Sequence, residues 1–146
     1  ARLPLIGREL PALRGVRPGD IVIFEPPAAV PGGRRSNDYI KRVVAVAGQT
    51  VEMRHRRLFV DGQPGHEPYA VHRDPASDPL RDSFPPLTVP PGHCFVLGDN
   101  RDASDDSRYW GPLPISLVHG RAFIRYFSWD PHRKRVRLER MPSRLR

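Results

Sequence analysis

Apolar residues occur along the chain in short runs, several of them alternating with polar residues, and such runs predict β-strands. The predicted strands are residues 20–24, 39–47, 50–54, 57–60, 94–97 and 120–129. Most are bounded by Gly, Pro, Asn or Asp, which favour turns. We expect 50–54 and 57–60 to form a hairpin, with Asp61 and Gly62 in a second turn. The pattern predicts an all-β domain of coiled or barrel-like antiparallel sheets.

The chain has the length of one domain. With 146 residues it can bury a core of its own, and we expect a single, partial domain over 1–146. Gly and Pro make up about a fifth of the residues, which excludes a helical bundle. Residues 63–91 contain eight prolines and little alternation, so we expect an irregular, cap-like insertion there. Residues 131–146 form a basic tail.

Composition narrows the class further. No apolar run approaches the roughly 20 residues of a membrane helix. A single cysteine, Cys94, precludes an internal disulfide. Since the chain begins with Ala1 and has no charged-then-apolar leader, we expect it to be a piece of a longer protein.

The net charge of +8 comes from 22 Arg and only two Lys, at 41 and 134. Arginine keeps its proton at any working pH, whereas a desolvated lysine can lose it.

Lys41 lies within the strongest predicted strand. Side chains alternate along a strand, so Lys41 is expected to share a face with Tyr39, Val43 and Ala45. Burial among such neighbours disfavours the charged amine and would lower its pKa toward the range of a general base. The alternative is an edge-strand lysine whose amine extends to water.

A polar loop at 98–111 combines four aspartates, two arginines, two serines and an asparagine. These groups can hydrogen-bond to one another as a rigid turn that holds a hydroxyl against a neighbouring amine. The alternatives are a solvated acidic turn and a cation-binding loop. The aspartate spacing lacks the ligand pattern of a calcium-binding EF-hand loop, which argues against calcium.

Three motifs occur in a characteristic order. They are Gly-Asp-Ile-Val-Ile-Phe at 19–24, Tyr-Ile-Lys-Arg-Val-Val at 39–44, and Gly-Asp-Asn-Arg-Asp at 98–102, which continues through Ser104, Asp106 and Arg108 to Trp110-Gly111. Together they resemble the bacterial type I signal peptidases. These are membrane-anchored enzymes that remove signal peptides from exported precursors. The resemblance runs from about residue 3 to residue 129.

The resemblance implies a serine endopeptidase with a Ser/Lys dyad and no cofactor. It makes Lys41 the general base and Ser104 the residue that orients it. It implies that Asp106 and Arg108 form a structural ion pair beneath the site, and that Asp99 and Arg101 shape the same loop. It also implies that pockets for Ala-X-Ala substrates are lined by Ile23, Asp38, Tyr39 and Ile40. The expected partners are signal peptides and the membrane surface. The expected location is the extracytoplasmic side of the cytoplasmic membrane.

One part of the family pattern is missing from this sequence. The nucleophile of these enzymes lies in a Ser-Met-Pro-Thr-like box upstream of the Gly-Asp motif, and here no serine precedes Ser36. We therefore expect residues 1–146 alone to lack the nucleophile and to be inactive.

Other functions are less well supported by the residues. The six histidines never fall into a metal-ligand spacing, so no metal site is expected. Related Ser/Lys peptidases, of the self-cleaving repressor or conjugative-transfer type, are the nearest alternatives, although no Ala-Gly cleavage site precedes Lys41. A basic nucleic-acid-binding β domain is the alternative of another class, and it rests on the positive charge and on strand aromatics flanked by Arg121, Arg125 and Arg133, which could stack on bases. We therefore expect no nucleic-acid partner.

Overall fold

The computed structural model describes residues 15–28, 30 and 38–121, together with the backbone of residues 122, 129–130 and 135–136. In chain order its elements are β1 (Ile21–Phe24), β2 (Tyr39–Val46), β3 (Thr50–Arg54), β4 (Arg57–Val60), β5 (Gln63–Pro64), α1 (Pro79–Asp82), β6 (Phe84–Thr88), β7 (His93–Leu97), α2 (Ser107–Trp110), β8 (Leu113–Pro114), a 3-10 turn (Ile115–Leu117), β9 (Val118–Ala122), β10 (Trp129–Asp130) and β11 (Arg135–Val136).

These strands form two main antiparallel sheets, which confirms the all-β prediction. The first sheet has the order β8-β7-β2-β1-β9, and the second has the order β5-β4-β3-β6. Strands β10 and β11 pair with each other. In the described part of the chain, no helix is long and apolar enough to cross a membrane.

The predicted hairpin of β3 and β4 is present. His55 and Arg56 at its turn both have positive φ, at 47° and 71°, and Asp61 and Gly62 repeat this after β4, at 51° and 75°. Two consecutive positive φ angles give a turn whose twist matches that of the flanking strands. The second sheet is therefore built from tight local turns.

A β-bulge in β2 corrects the predicted alternation. Ala45 was expected to share a face with Val43, but the register against β7 shifts between these two residues. Ala45 packs with Val44 in the core between the sheets, while Val43 belongs to the other core. A bulge adds one residue to a strand and so changes the face that the following side chains occupy. The bulge therefore places Ala45 beside Val44 in the core between the sheets.

The two cores cover opposite faces of the first sheet. One contains Val16, Val22, Phe24, Val43, Cys94, Val96, Leu113 and Val118, and the other contains Val44, Ala45, Val51, Met53, Leu58, Val89, Phe95 and Leu97. Strand β7 supplies residues to both, which explains its unbroken apolar sequence. The polar loop at 98–111 begins directly after this buried strand.

The segment 63–91 is more regular than the sequence indicated, because it contains β5, α1 and β6. Strand β6 includes Pro85 and Pro86 but lies at the edge of its sheet, where a missing backbone donor is tolerated. The predicted strand 120–129 overlaps β9, and its residues 123–128 lie outside the described part. In the tail 131–146, only the backbone of β11 is described.

We predict that Met53→Ala lowers the free energy of unfolding by about 2–5 kcal/mol, because it leaves a cavity in the core between the sheets. Met53 is 1% exposed. Leu80→Ala is the control, since Leu80 is 80% exposed and should change the same quantity by less than about 0.5 kcal/mol. Urea denaturation measures both. Equal losses in the two variants would contradict the described core.

Candidate active site

Lys41 and Ser104 are in direct contact. Lys41 lies in the middle of β2, opposite Val22 of β1, and its Nζ donates a hydrogen bond of 2.9 Å to Ser104 Oγ. The two residues are 63 positions apart in the sequence. Tyr39, two residues before Lys41, places its ring centroid 5.5 Å from the same amine. The strand thus supplies the amine, and the loop after β7 supplies the hydroxyl.

The environment favours the neutral form of Lys41. Burial lowers the pKa of this amine below its ordinary value of 10.5. The carboxylates of Asp106 and Asp105 act against burial, and the guanidinium of Arg108 acts with it. The pKa of Lys41 in the folded chain lies below its value in the unfolded chain. The contribution of Lys41 to the free energy of unfolding therefore increases as pH rises from the folded-state pKa toward 10.5. The net effect is an amine suited to accept a proton.

Gly98 makes the contact sterically possible. A Cβ built on Gly98 would overlap both Oγ and Cβ of Ser104 and would lie 3.6 Å from Lys41 Nζ. Any side chain at this position would therefore push Ser104 away from the amine. The residue after β7 must be glycine because the backbone approaches the hydroxyl closely.

Asp106 anchors the far end of the loop. It is fully buried, and its carboxylate accepts hydrogen bonds from Gly98 N at 3.0 Å and from Arg108 Nε and Nη2, both at 2.9 Å. The same carboxylate accepts from Arg108 N at the start of α2. Next to it, Ser107 Oγ accepts from Val96 N at 3.0 Å. The part of the loop that follows Ser104 is thereby closed back onto β7 and Gly98.

Two further arginine–carboxylate pairs hold the start of the loop. Asp99 accepts two bonds from Arg42, at 2.8 and 2.9 Å, and Arg101 donates two to Glu67, at 3.1 and 2.6 Å. The Arg42 guanidinium also stacks on Tyr69, 3.9 Å from the ring centroid. Sequence reasoning placed Asp99 and Arg101 at the site but missed their partners. Glu67 offered a weak signal, as the one acidic residue between 62 and 73.

The four residues expected to line the substrate pockets do not converge. Ile23 and Ile40 are cross-strand partners on one face of the first sheet. Tyr39 faces the opposite side, where its ring packs 5.9 Å from that of Phe24. Asp38 is exposed, with its carboxylate 3.7 Å from His119 Nε2. A small cleft of about 70 Å³ beside the amine is lined by Ile21, Ile40, Lys41, Arg42 and Asp99.

Two other kinds of reactive group were considered among the described residues, a thiol and a cluster of metal ligands. Cys94 is a buried core residue, and burial raises the pKa of its thiol to about 12, so it is not a ready nucleophile. Within the part of the chain that the structure describes, no group of three or more His, Cys, Asp or Glu side chains could hold a metal ion.

An antiparallel two-sheet fold that holds a partly buried lysine amine against a serine hydroxyl is suited to a serine peptidase with a lysine base. The family model described as "Signal peptidase, peptidase S26" matches residues 6–129. The chain therefore belongs to this peptidase family.

Its relatives carry related names. A probable signal peptidase I-1 from Synechocystis is 41% identical over 75% of this chain and 54% of its own length. Thylakoidal processing peptidase 1 from Arabidopsis thaliana is 43% identical over 77% of this chain and 32% of its own length. The crystal structure of a signal peptidase I from Enterococcus faecalis aligns with a TM-score of 0.59 and 31% identity, covering 75% of this chain and 97% of that one. The chain thus spans about half of the length of the first of these relatives and about a third of the second.

We predict that Lys41 titrates below pH 10.5 and that Asp105→Asn lowers its pKa further, since this change removes a negative charge that favours the protonated amine. The measurement is an NMR pH titration with labelled lysine. Only two lysines are present, so Lys41→Arg assigns the signal. Asp61→Asn, at the distant turn after β4, is the control and should leave the titration unchanged. A rise in the Lys41 pKa of Asp105→Asn would contradict the electrostatics described here.

We predict that Gly98→Ala separates Ser104 from Lys41 and destabilises the fold by about 1–3 kcal/mol, because the new methyl group overlaps the hydroxyl. Water admitted to the amine should raise its pKa toward 10.5. Gly120→Ala is the matched control, since nothing lies within 4 Å of a Cβ built there. Calorimetry and the lysine titration measure the two effects. An unchanged titration in Gly98→Ala would show that the close approach is unnecessary.

Proposed function

We propose that this chain is the catalytic domain of a signal peptidase that cleaves exported precursors after Ala-X-Ala, with Lys41 as general base. The observation that carries the proposal is the partly buried amine of Lys41 bonded to Ser104, in a chain that belongs to the signal peptidase family. The names of the relatives support the substrate class.

The chemistry follows from the protonation state of the amine. Neutral Lys41 donates one N–H to Ser104 Oγ and keeps its lone pair for a second partner. That lone pair accepts the proton of the nucleophilic serine as its oxygen attacks the scissile carbonyl carbon. The resulting ammonium returns the proton to the leaving amine, and water then hydrolyses the acyl-enzyme by the same route. Ser104 keeps the amine aimed during both transfers.

The nucleophile is the part of this scheme for which the sequence offers no residue. No serine precedes Ser36, and the family pattern puts the nucleophile upstream of the motif at 19–24. We propose that the complete protein supplies it from a segment before Ala1. Residues 1–146 alone then contain the base and its orienting serine but do not catalyse cleavage.

The substrate site and location are proposed on the same basis. Ile23 and Ile40 would form an apolar wall for small side chains on one face of the first sheet. Asp38 and Tyr39 would contribute from the start of β2, with Tyr39 on the opposite face. The domain would act on the extracytoplasmic side of the cytoplasmic membrane, with signal peptides as its partners. The net charge of +8 would favour contact with anionic lipid headgroups.

We predict that Lys41→Ala in the full-length gene product lowers kcat/KM for an Ala-X-Ala precursor by about 10²- to 10⁴-fold, the usual contribution of a general base. In the unmodified protein, kcat/KM should rise with pH through the lowered pKa of Lys41, because only the neutral amine accepts a proton. Cleavage of the precursor, followed by gel and mass spectrometry, measures both.

Lys134→Ala, at the only other lysine, is the matched control and should retain activity. Residues 1–146 alone should give no turnover. Turnover by this shorter chain that disappears in its Lys41→Ala variant would refute the proposed absence of the nucleophile. Full activity of Lys41→Ala in the complete protein would refute the proposed mechanism.

A further inference from the structure

A segment of the region 63–91 lies along the loop that carries Ser104. We call residues 67–74 the brace. Val71 forms a parallel bridge with Asn100, in which Val71 N donates to Asp99 O at 2.8 Å and Arg101 N donates to Val71 O at 2.9 Å. Glu67 adds its two bonds to Arg101, which is 1% exposed. The first half of the loop is thus paired with a neighbouring segment as one strand is with another.

Asp102 makes the last contact between brace and loop before Ser104. Its Oδ2 accepts hydrogen bonds from Arg73 N at 2.5 Å and Asp74 N at 2.6 Å. Its Oδ1 lies 3.5 Å from Arg81 Nε and 3.7 Å from His72 Nδ1. Burial alone would raise the pKa of this carboxyl, but the two backbone donors and the charges of Arg81 and Arg56 hold it below its usual value. The side chain is therefore a charged, buried anchor.

The anchor at Asp102 has a counterpart on the other side of Ser104. Asp106 fixes the loop to Gly98 and Arg108, and Arg108 also donates to the carbonyls of Arg101, at 2.8 Å, and Arg81, at 3.0 Å. Between these anchors, Ala103 and Asp105 are exposed. Two buried carboxylates thus hold a short exposed stretch whose middle residue is Ser104.

We propose that Asp102 is a positioning residue that acts through the brace: by binding the backbone of Arg73 and Asp74, it fixes the Ser104 hydroxyl against Lys41. The inference rests on the proposed function and adds to it a role for the region 63–91. Asp102 acts through Ser104, two residues away, and has no direct contact with the amine among the described contacts. Without this anchor the loop could move by the ångström or so that general-base catalysis does not tolerate.

The test compares Asp102→Ala with Asp102→Asn in the full-length gene product. Asp102→Ala removes the acceptor of both backbone bonds, and we expect kcat to fall about 10- to 100-fold with KM changed less than about threefold. Asp102→Asn keeps an oxygen that can accept the same two bonds, so kcat should recover to within about fivefold of the unmodified enzyme. Asp61→Ala is the matched control, because Asp61 also accepts a backbone N–H, from Thr50 at 2.8 Å, but at a distant turn.

A second measurement separates positioning from general loss of stability. In residues 1–146, the Lys41 pKa should rise toward 10.5 in Asp102→Ala, as water reaches the amine, and should be unchanged in Asp61→Ala. Unchanged kcat or an unmoved Lys41 pKa in Asp102→Ala would overturn the proposal. So would an Asp102→Asn variant as impaired as Asp102→Ala, since charge would then matter more than the two hydrogen bonds.

If Asp102→Ala does not fold, Glu67→Gln tests the brace at its other end. Loss of the ion pair with Arg101 should lower kcat several-fold with KM unchanged, and an unaffected kcat would count against the brace. A different result would overturn the proposed function itself, namely an unmodified full-length protein that does not cleave precursors. In that case the Lys41 titration would still report whether Asp102 positions Ser104.

Discussion

The candidate active site is organised around one hydrogen bond, from the amine of Lys41 to the hydroxyl of Ser104, in a partly buried environment. A lysine in such a setting is unfavourable when charged, and burial therefore lowers its pKa. The loop after β7 supplies the neighbouring oxygen that the amine needs. Gly98 is present because the hydroxyl occupies the space that a side chain would take. The amine, the glycine and the serine thus form one arrangement, although they come from two distant parts of the chain.

The charges around this bond act in opposite directions on the pKa of Lys41, and burial, which lowers this pKa, is the larger effect. Asp106 is buried and acts to raise the pKa of the amine, but its carboxylate shares two hydrogen bonds with Arg108, whose positive charge acts in the opposite direction. Two further bidentate pairs join the loop to residues outside it: Asp99 pairs with Arg42, and Arg101 pairs with Glu67. Arginine suits these positions because its planar group binds both carboxylate oxygens and never loses its charge. The pairs therefore fix the geometry of the loop around Ser104.

The region 63–91 shows how a proline-rich segment can have a defined structural role. Its edge strand β6 tolerates two prolines, and its brace pairs with the active-site loop through backbone hydrogen bonds as well as side chains. Such pairing leaves little trace in the sequence, because any residue except proline can donate a backbone N–H. The hydrophobic pattern identified most of the strands of the two main sheets, since burial on a sheet face imposes a period of two that is visible locally. It could not identify the bulge in β2, because a bulge depends on the register between two strands.

The sequence by itself determined the fold class, the strands that carry the motifs and the candidate pair of Lys41 and Ser104, through local pattern and family resemblance. Only the tertiary structure decided what surrounds that pair. It placed Arg42 against Asp99 and Glu67 against Arg101, and through the bulge in β2 it put Ala45 on the face of Val44. The reason is physical: alternation and turn preferences act over a few residues, whereas an ion pair or a steric requirement such as that of Gly98 depends on chain segments that meet only after folding.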